Sequence, residues 1–236
     1  MASARLYERA QFRISGDRCL LAEYGSGISV EINDKVRRMT ASIQRQRLPG
    51  IEGVVPSYTT LSVLYDPVTL DFSTLTGWLW ELESGLDQTD LPEPRVVEIP
   101  VCYGGDFGPD IDFVATHNRL RVPEVIEFHS GATYHIYAVG FAPGFCYLGG
   151  LDSRVHTPRL PTPRTQVPAG SVGIAEAQTG VYPQPSPGGW RLIGRTPLRL
   201  FDPERPEPVL YQAGDKIRFR PISMDEFEDL STREDV

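Results

Sequence analysis

Between residues 140 and 197 the chain carries nine prolines and ten glycines, a density that no helix can run through. Proline removes a backbone donor and glycine raises the entropy cost of any fixed conformation. The breakers are interleaved with Phe141, Phe145, Tyr147, Leu148, Val172, Ile174, Tyr182 and Trp190, apolar area that a disordered linker lacks. The stretch therefore reads as loops pinned in special conformations on a β scaffold, where binding surfaces tend to sit.

The flanking sequence predicts an α+β chain of two domains, residues 1–92 and 93–236. In the first, Cys19–Tyr24 reads as a strand closed by Gly25-Ser26-Gly27. Ile28, Ile32, Val36, Met39 and Ile43 then recur at helical spacing until Pro49-Gly50 stops the run. Ile51–Val55 and Leu61–Tyr65 read as a hairpin, and Asp71 caps a second helix carrying Phe72, Leu75, Leu79, Leu82 and Leu86. Arg95–Val101, after the joint Asp90-Leu91-Pro92-Glu93-Pro94, completes a βαββαβ order, that of a small ferredoxin-like unit. Asp110–His117 and Pro123–Phe128 look like short helices, with Pro123 in a first turn. Beyond Thr133 the strand signals are Tyr134–Phe141, Ser171–Ala175, Trp190–Ile193, Leu198–Phe201, Val209–Tyr211 and Lys216–Arg220. Strands with no helices between them predict a closed β-barrel, followed by an acidic, frayed end from Asp225 to Val236.

A formal net charge of -8 leaves nothing basic to neutralise phosphates, so nucleic acid and anionic membrane are not expected partners. No apolar run approaches a membrane span, and the N-terminus lacks the apolar core of a signal peptide. Cys19, Cys102 and Cys146 are an odd number without C-x-x-C spacing, which favours free thiols and a cytoplasmic location.

Ala169-Gly170-Ser171-Val172-Gly173 approaches a nucleophile elbow, but it leads into a strand and no histidine follows His156, so the triad order fails. Cys146, between Phe145 and Tyr147, is equally at home as a small buried hydrophobe. The four histidines lack metal-site spacing; His129 suits either a helix-end position or a ligand-facing acid/base. There is no P-loop, although Ser186-Pro187-Gly188-Gly189 and Tyr103-Gly104-Gly105 could expose backbone N–H groups to an anion. Arg159 and Arg164 each follow a proline, which stiffens the backbone beneath a fork suited to carboxylate or phosphate. Extended, the two stand roughly 15 Å apart, so a shared anion requires the loop to fold back.

These blocks, with Val54-Val55-Pro56-Ser57-Tyr58, Ile99-Pro100-Val101-Cys102-Tyr103-Gly104-Gly105, Phe107-Gly108-Pro109-Asp110 and Gly194-Arg195-Thr196-Pro197, resemble the allophanate hydrolase subunit 1 family, whose members are also called the B subunit of 5-oxoprolinase. The resemblance covers nearly the whole chain. It implies a small α+β N-terminal domain and a C-terminal cyclophilin-like β-barrel, and one subunit of an enzyme, inactive alone. The implied reaction is ATP-dependent hydrolysis of a cyclic amide, 5-oxo-L-proline to L-glutamate, with Mg as a possible companion of the ATP. The implied partners are the other 5-oxoprolinase subunits: a C-type protein (allophanate hydrolase subunit 2-type) and an A-type protein. Two alternatives travel with the family: an inhibitor of a bacterial sporulation histidine kinase, and the carboxyltransferase half of a urea carboxylase-like system acting with a biotin carrier. Carried over by motif, His129 is the acid/base or donor and Arg159 and Arg164 are anion clamps. Phe141, Pro143, Gly144, Tyr147, Ser171, Tyr182, Ser186 and Trp190 are expected to bind the substrate.

Overall fold

The computed structural model describes residues 4–86 and 91–232. The chain divides into two compact units, Met1–Glu93 and Pro94–Val236, and Asp90 of the expected joint lies outside the described residues. In the first unit the elements run β1 (Arg5–Ile14), β2 (Cys19–Ser26), α1 (Val30–Gln46), β3 (Ile51–Pro56), β4 (Thr60–Tyr65) and α2 (Phe72–Ser84). The sheet order is β1-β2-β4-β3 and every pairing is antiparallel.

Period and caps explain both helices. Ile32, Val36, Met39 and Ile43 of α1 are buried, as their spacing predicts, and Ser29 caps its first turn by accepting from the Ile32 N–H at 3.2 Å. Asp71 caps α2, accepting from the Ser73 and Thr74 N–H groups at 2.9 and 3.0 Å. These hydrogen bonds hold its carboxyl well below the usual carboxylate range. Leu75, Leu79 and Leu82 of α2 join Leu20, Ala22, Tyr24, Leu61 and Val63 of the sheet in one core. Two expectations need correcting. β1 precedes the first strand read from sequence, and Arg95–Val101 does not close this sheet but belongs to the second unit.

There, β5 (Val96–Tyr103) is followed by α3 (Ile111–Asn118), α4 (Val122–Ser130), β6 (Thr133–Val139) and β7 (Cys146–Gly149). Next come β8 (Arg164–Val167), β9 (Ser171–Ala175), β10 (Gln178–Val181), β11 (Ser186–Gly188), β12 (Arg191–Arg195), β13 (Lys216–Pro221) and α5 (Met224–Ser231). Seven strands close a barrel in the order β10-β7-β6-β13-β5-β12-β9, while β8 and β11 form a separate two-stranded ribbon. β13 runs parallel to β5, from Lys216 opposite Val96 to Pro221 opposite Val101. Ile99, Val101, Tyr134, Ile136, Leu148, Ile174, Ile217 and Phe219 lie within its core.

Leu198–Phe201 and Val209–Tyr211 are not strands: Pro203, Pro206 and Pro208 lie in the turn between them, and a bridge at Phe201 and Val209 joins the two segments. The acidic end is helical as far as α5, whose Phe227 ring packs 4.4 Å from Phe107; residues 233–236 lie outside the described residues. No described helix is long and apolar enough to cross a membrane. The three cysteines are free, and burial pushes the Cys146 thiol up to about 11, the opposite of what a nucleophile needs.

Candidate functional site

The Pro/Gly-rich loops converge on an aromatic cleft in the second unit. Phe145, entering β7, is its hub: its ring centroid lies 5.0 Å from Tyr147 and 5.6 Å from both Tyr182 and Trp190, each edge-on. Phe141 stands 5.5 Å away at the mouth, 70% exposed and held at a φ of 71°. That left-handed backbone is unusual for a bulky side chain, and the surrounding loop imposes it. The Phe145 N–H bonds to the Ala142 carbonyl, the Gly140 N–H to the Phe145 carbonyl, and the Tyr211 hydroxyl to the Gly144 carbonyl at 2.6 Å.

Glycine lets the chain approach closely beneath this hub. A β-carbon on Gly188 would lie 2.5 Å from the Tyr182 hydroxyl oxygen, and one on Gly180 would lie 3.0 Å from the Cys146 carbonyl and 3.1 Å from the Trp190 ring. The resulting cleft, about 170 Å³, is lined by Phe141, Phe145, Tyr147, Arg159, Tyr182, Pro187, Gly188, Gly189 and Trp190. Of the residues expected to bind substrate, Phe141, Tyr147, Tyr182 and Trp190 meet here. Pro143 and Gly144 shape the Phe141 loop, Ser171 is buried at the start of β9, and Ser186 opens β11. Phe145, Pro187, Gly188 and Gly189 were not among the expected site residues, although the Pro/Gly blocks contain all four.

The three cationic candidates separate. Arg159 lies over Trp190, its guanidinium 6.0 Å from the ring centroid, and makes no ion pair with any described residue. Its loop is tied down by the Leu160 N–H on the Gly189 carbonyl at 2.7 Å and by Arg191 Nε on the Pro158 carbonyl at 3.2 Å. Arg164 is not a free clamp. Its Nη2 sits 2.9 Å from both carboxylate oxygens of buried Asp110, and its Nη1 donates to the Trp190 carbonyl. Burial raises the Tyr182 phenol, against a hydrogen bond with the Trp190 backbone and the fields of Arg159 and Arg164.

His129 is not an acid or base of this cleft. It is wholly buried near the end of α4, with Nδ1 2.8 Å from the Tyr103 hydroxyl and Nε2 2.8 Å from the Thr179 hydroxyl. Thr179 donates its one proton to the Gly173 carbonyl at 2.9 Å, so it accepts from Nε2–H, and Nδ1 accepts from Tyr103. Both ring nitrogens are satisfied in the neutral form, and burial lowers the imidazole to about 3. The helix-end position was legible; the barrel interior into which it turns was not.

The cleft thus offers one guanidinium without a carboxylate partner among the described residues, flat aromatic walls and a glycine backbone, groups whose chemistry suits a small anion on a compact body. Among the described residues no group of three or more His, Cys, Asp or Glu side chains could hold a metal ion.

Residues 10–211 match the family described as carboxyltransferase domain, subdomain C and D. The chain is similar to the B subunit of 5-oxoprolinase from Bacillus subtilis (strain 168), 42% identical, over 91% of this chain and 94% of that one. Among solved structures it is similar to TTHA0988, at 38% identity and a TM-score of 0.77, over 87% of this chain; it spans 40% of that longer chain. The Kluyveromyces lactis urea carboxylase shares the fold at 21% identity and a TM-score of 0.76, over 95% of this chain and 23% of that one.

Proposed function

Because the chain belongs to the carboxyltransferase subdomain C and D family, we propose that it acts as the B subunit of a 5-oxoprolinase, a complex that opens 5-oxo-L-proline to L-glutamate. The observation that carries this reading is the unpaired Arg159 poised over the aromatic cleft. 5-Oxoproline is a small five-membered lactam with one carboxylate. Arg159 would receive that carboxylate, while Trp190, Tyr182 and Phe145 would wall the ring and exclude water.

The resemblance implies a reaction that draws on ATP, with Mg as its possible companion. The cleft does not fit either group. It falls below the ~300 Å³ of sites for drug-sized ligands, no carboxylate lines it for a metal ion, and the sequence lacks a P-loop. We therefore assign ATP to the rest of the complex, in which C-type and A-type 5-oxoprolinase proteins are the expected partners. The chain contributes binding and orientation, and no chemistry on a nucleotide is derived for it.

The test is co-expression with C-type and A-type partners, followed by an assay of ATP-dependent glutamate release from 5-oxoproline. Release that disappears without this chain supports the reading. An assembled complex that releases no glutamate overturns it. The family description itself favours a second reading, a carboxyltransferase half, in which the cleft receives a carboxylated nitrogen compound. Carboxyl transfer to urea by the chain with a biotin carrier and its carboxylase would support that alternative.

A further inference from the structure

Asp110 lies outside the cleft and holds Arg164, a cationic neighbour of it. The side chain is buried, and its two oxygens are fully engaged: both face Arg164 Nη2 at 2.9 Å, and Oδ2 also accepts the Leu192 N–H at 2.7 Å. Arg191 brings a second guanidinium to 4.0 Å and stacks it 3.6 Å over Phe113. Arg164 borders the cleft from behind, since it donates to the Trp190 carbonyl and its field reaches Tyr182. Arg159 lines the cleft, and Arg164 stands beside it, opposite Gly188 in the β8–β11 ribbon. Without Asp110 the Arg164 guanidinium would be left without its carboxylate next to that space; with it, Arg164 is ion-paired, and of the two only Arg159 has no carboxylate partner among the described residues.

We propose that Asp110 is a specificity-determining residue: by engaging Arg164 it limits the cleft to one available guanidinium, so that the site takes a small monocarboxylate and discriminates against dianions. The inference rests on the reading of the cleft as the 5-oxoproline site, and it predicts that phosphate-like and dicarboxylate species compete poorly there. A dianion gains most from a second cation, and a cation already paired with a buried carboxylate offers little further attraction.

The experiment titrates the complete complex, wild type and Asp110→Asn, with sulfate as dianion probe and 5-oxo-L-proline as monocarboxylate, at constant ionic strength held with chloride. Calorimetry reads the affinities and needs no turnover. Wild type should bind 5-oxoproline at least tenfold more tightly than sulfate. In Asp110→Asn the affinity for sulfate should rise at least tenfold while that for 5-oxoproline moves less than threefold. The double variant Asp110→Asn with Arg164→Gln should lose the sulfate gain. Sulfate binding no tighter in Asp110→Asn than in wild type, including no binding to either, overturns the proposal. If Asp110→Asn fails to fold, the wild-type preference decides: sulfate bound as tightly as 5-oxoproline overturns it. A sulfate gain without any 5-oxoproline binding would sink the functional reading and leave the charge-limiting role standing; 5-oxoproline turnover without the gain does the reverse.

Discussion

At the scale of single residues, Arg159 and His129 show how burial divides two groups that look equally functional in sequence. Arg159 remains open over Trp190 and should carry binding. Arg159→Ala is expected to raise KM for 5-oxoproline about tenfold or more, consistent with losing a charge-assisted hydrogen bond of roughly 1.5–3 kcal/mol. An unchanged KM in the assembled complex would remove Arg159 from the site. His129 belongs to stability instead. Its folded pKa of about 3 lies below the ordinary 6.5, so the folded state prefers the neutral ring. Stability from this group is full above pH ~6.5 and is lost as pH falls toward the folded value, the loss reaching about 3 kcal/mol at pH ~4.5. Melting temperature should therefore fall between these pH values, and His129→Gln should flatten that slope. An equally steep slope in the variant would place the titration elsewhere. Both residues could be picked out of the sequence, but their roles could not, because burial and partners come from segments distant in the chain.

At the scale of elements, the helices were legible and the ribbon was not. The spacing of Ile32, Val36, Met39 and Ile43 and the cap at Asp71 are local signals, and the structure keeps them; the cap at Ser29 goes unread in sequence, because the apolar run starts at Ile28, which lies exposed before α1. Ser29→Ala should cost about 1 kcal/mol in denaturant unfolding, with an unchanged m-value. A value near zero would mean that water caps the helix as well. β8 (Arg-Thr-Gln-Val) and β11 (Ser-Pro-Gly) are too short for any alternation to announce them, and β1 has few inward-facing apolar residues to reveal its period. The ribbon matters because it carries Gly188 against Tyr182. Gly188→Ala should push that ring aside and weaken 5-oxoproline binding by tenfold or more, while the chain remains folded by circular dichroism. Wild-type affinity in the alanine variant would show that the contact relaxes without consequence.

At the scale of the whole molecule, each unit has its own main core, around Leu79 in the first and around Ile136 in the second, and a smaller cluster around Phe145 lies in the second. Leu79→Ala should cost about 2–5 kcal/mol in unfolding of the first unit, and Ile136→Ala a similar amount in the second. Calorimetry in which each substitution moves a different part of the unfolding endotherm would confirm separate cooperative units; a single peak shifted equally by both would contradict it. The barrel was foreseeable from strands without helices between them. Its closure was not, because adjacency of β5 with β12 and β13 is a long-range fact that no local pattern encodes.

That closure has a consequence for how the chain is made. β13 zips alongside β5, and Asp215, just before it, grips Arg95 from 120 residues further along the polypeptide. During synthesis the first unit, whose strands pair with near neighbours, can organise as it emerges from the ribosome. The β5 edge meanwhile waits, exposed, until its latest-made companion arrives, so a nascent chain stalled before Lys216 would present an open seam to chaperones or to other copies of itself.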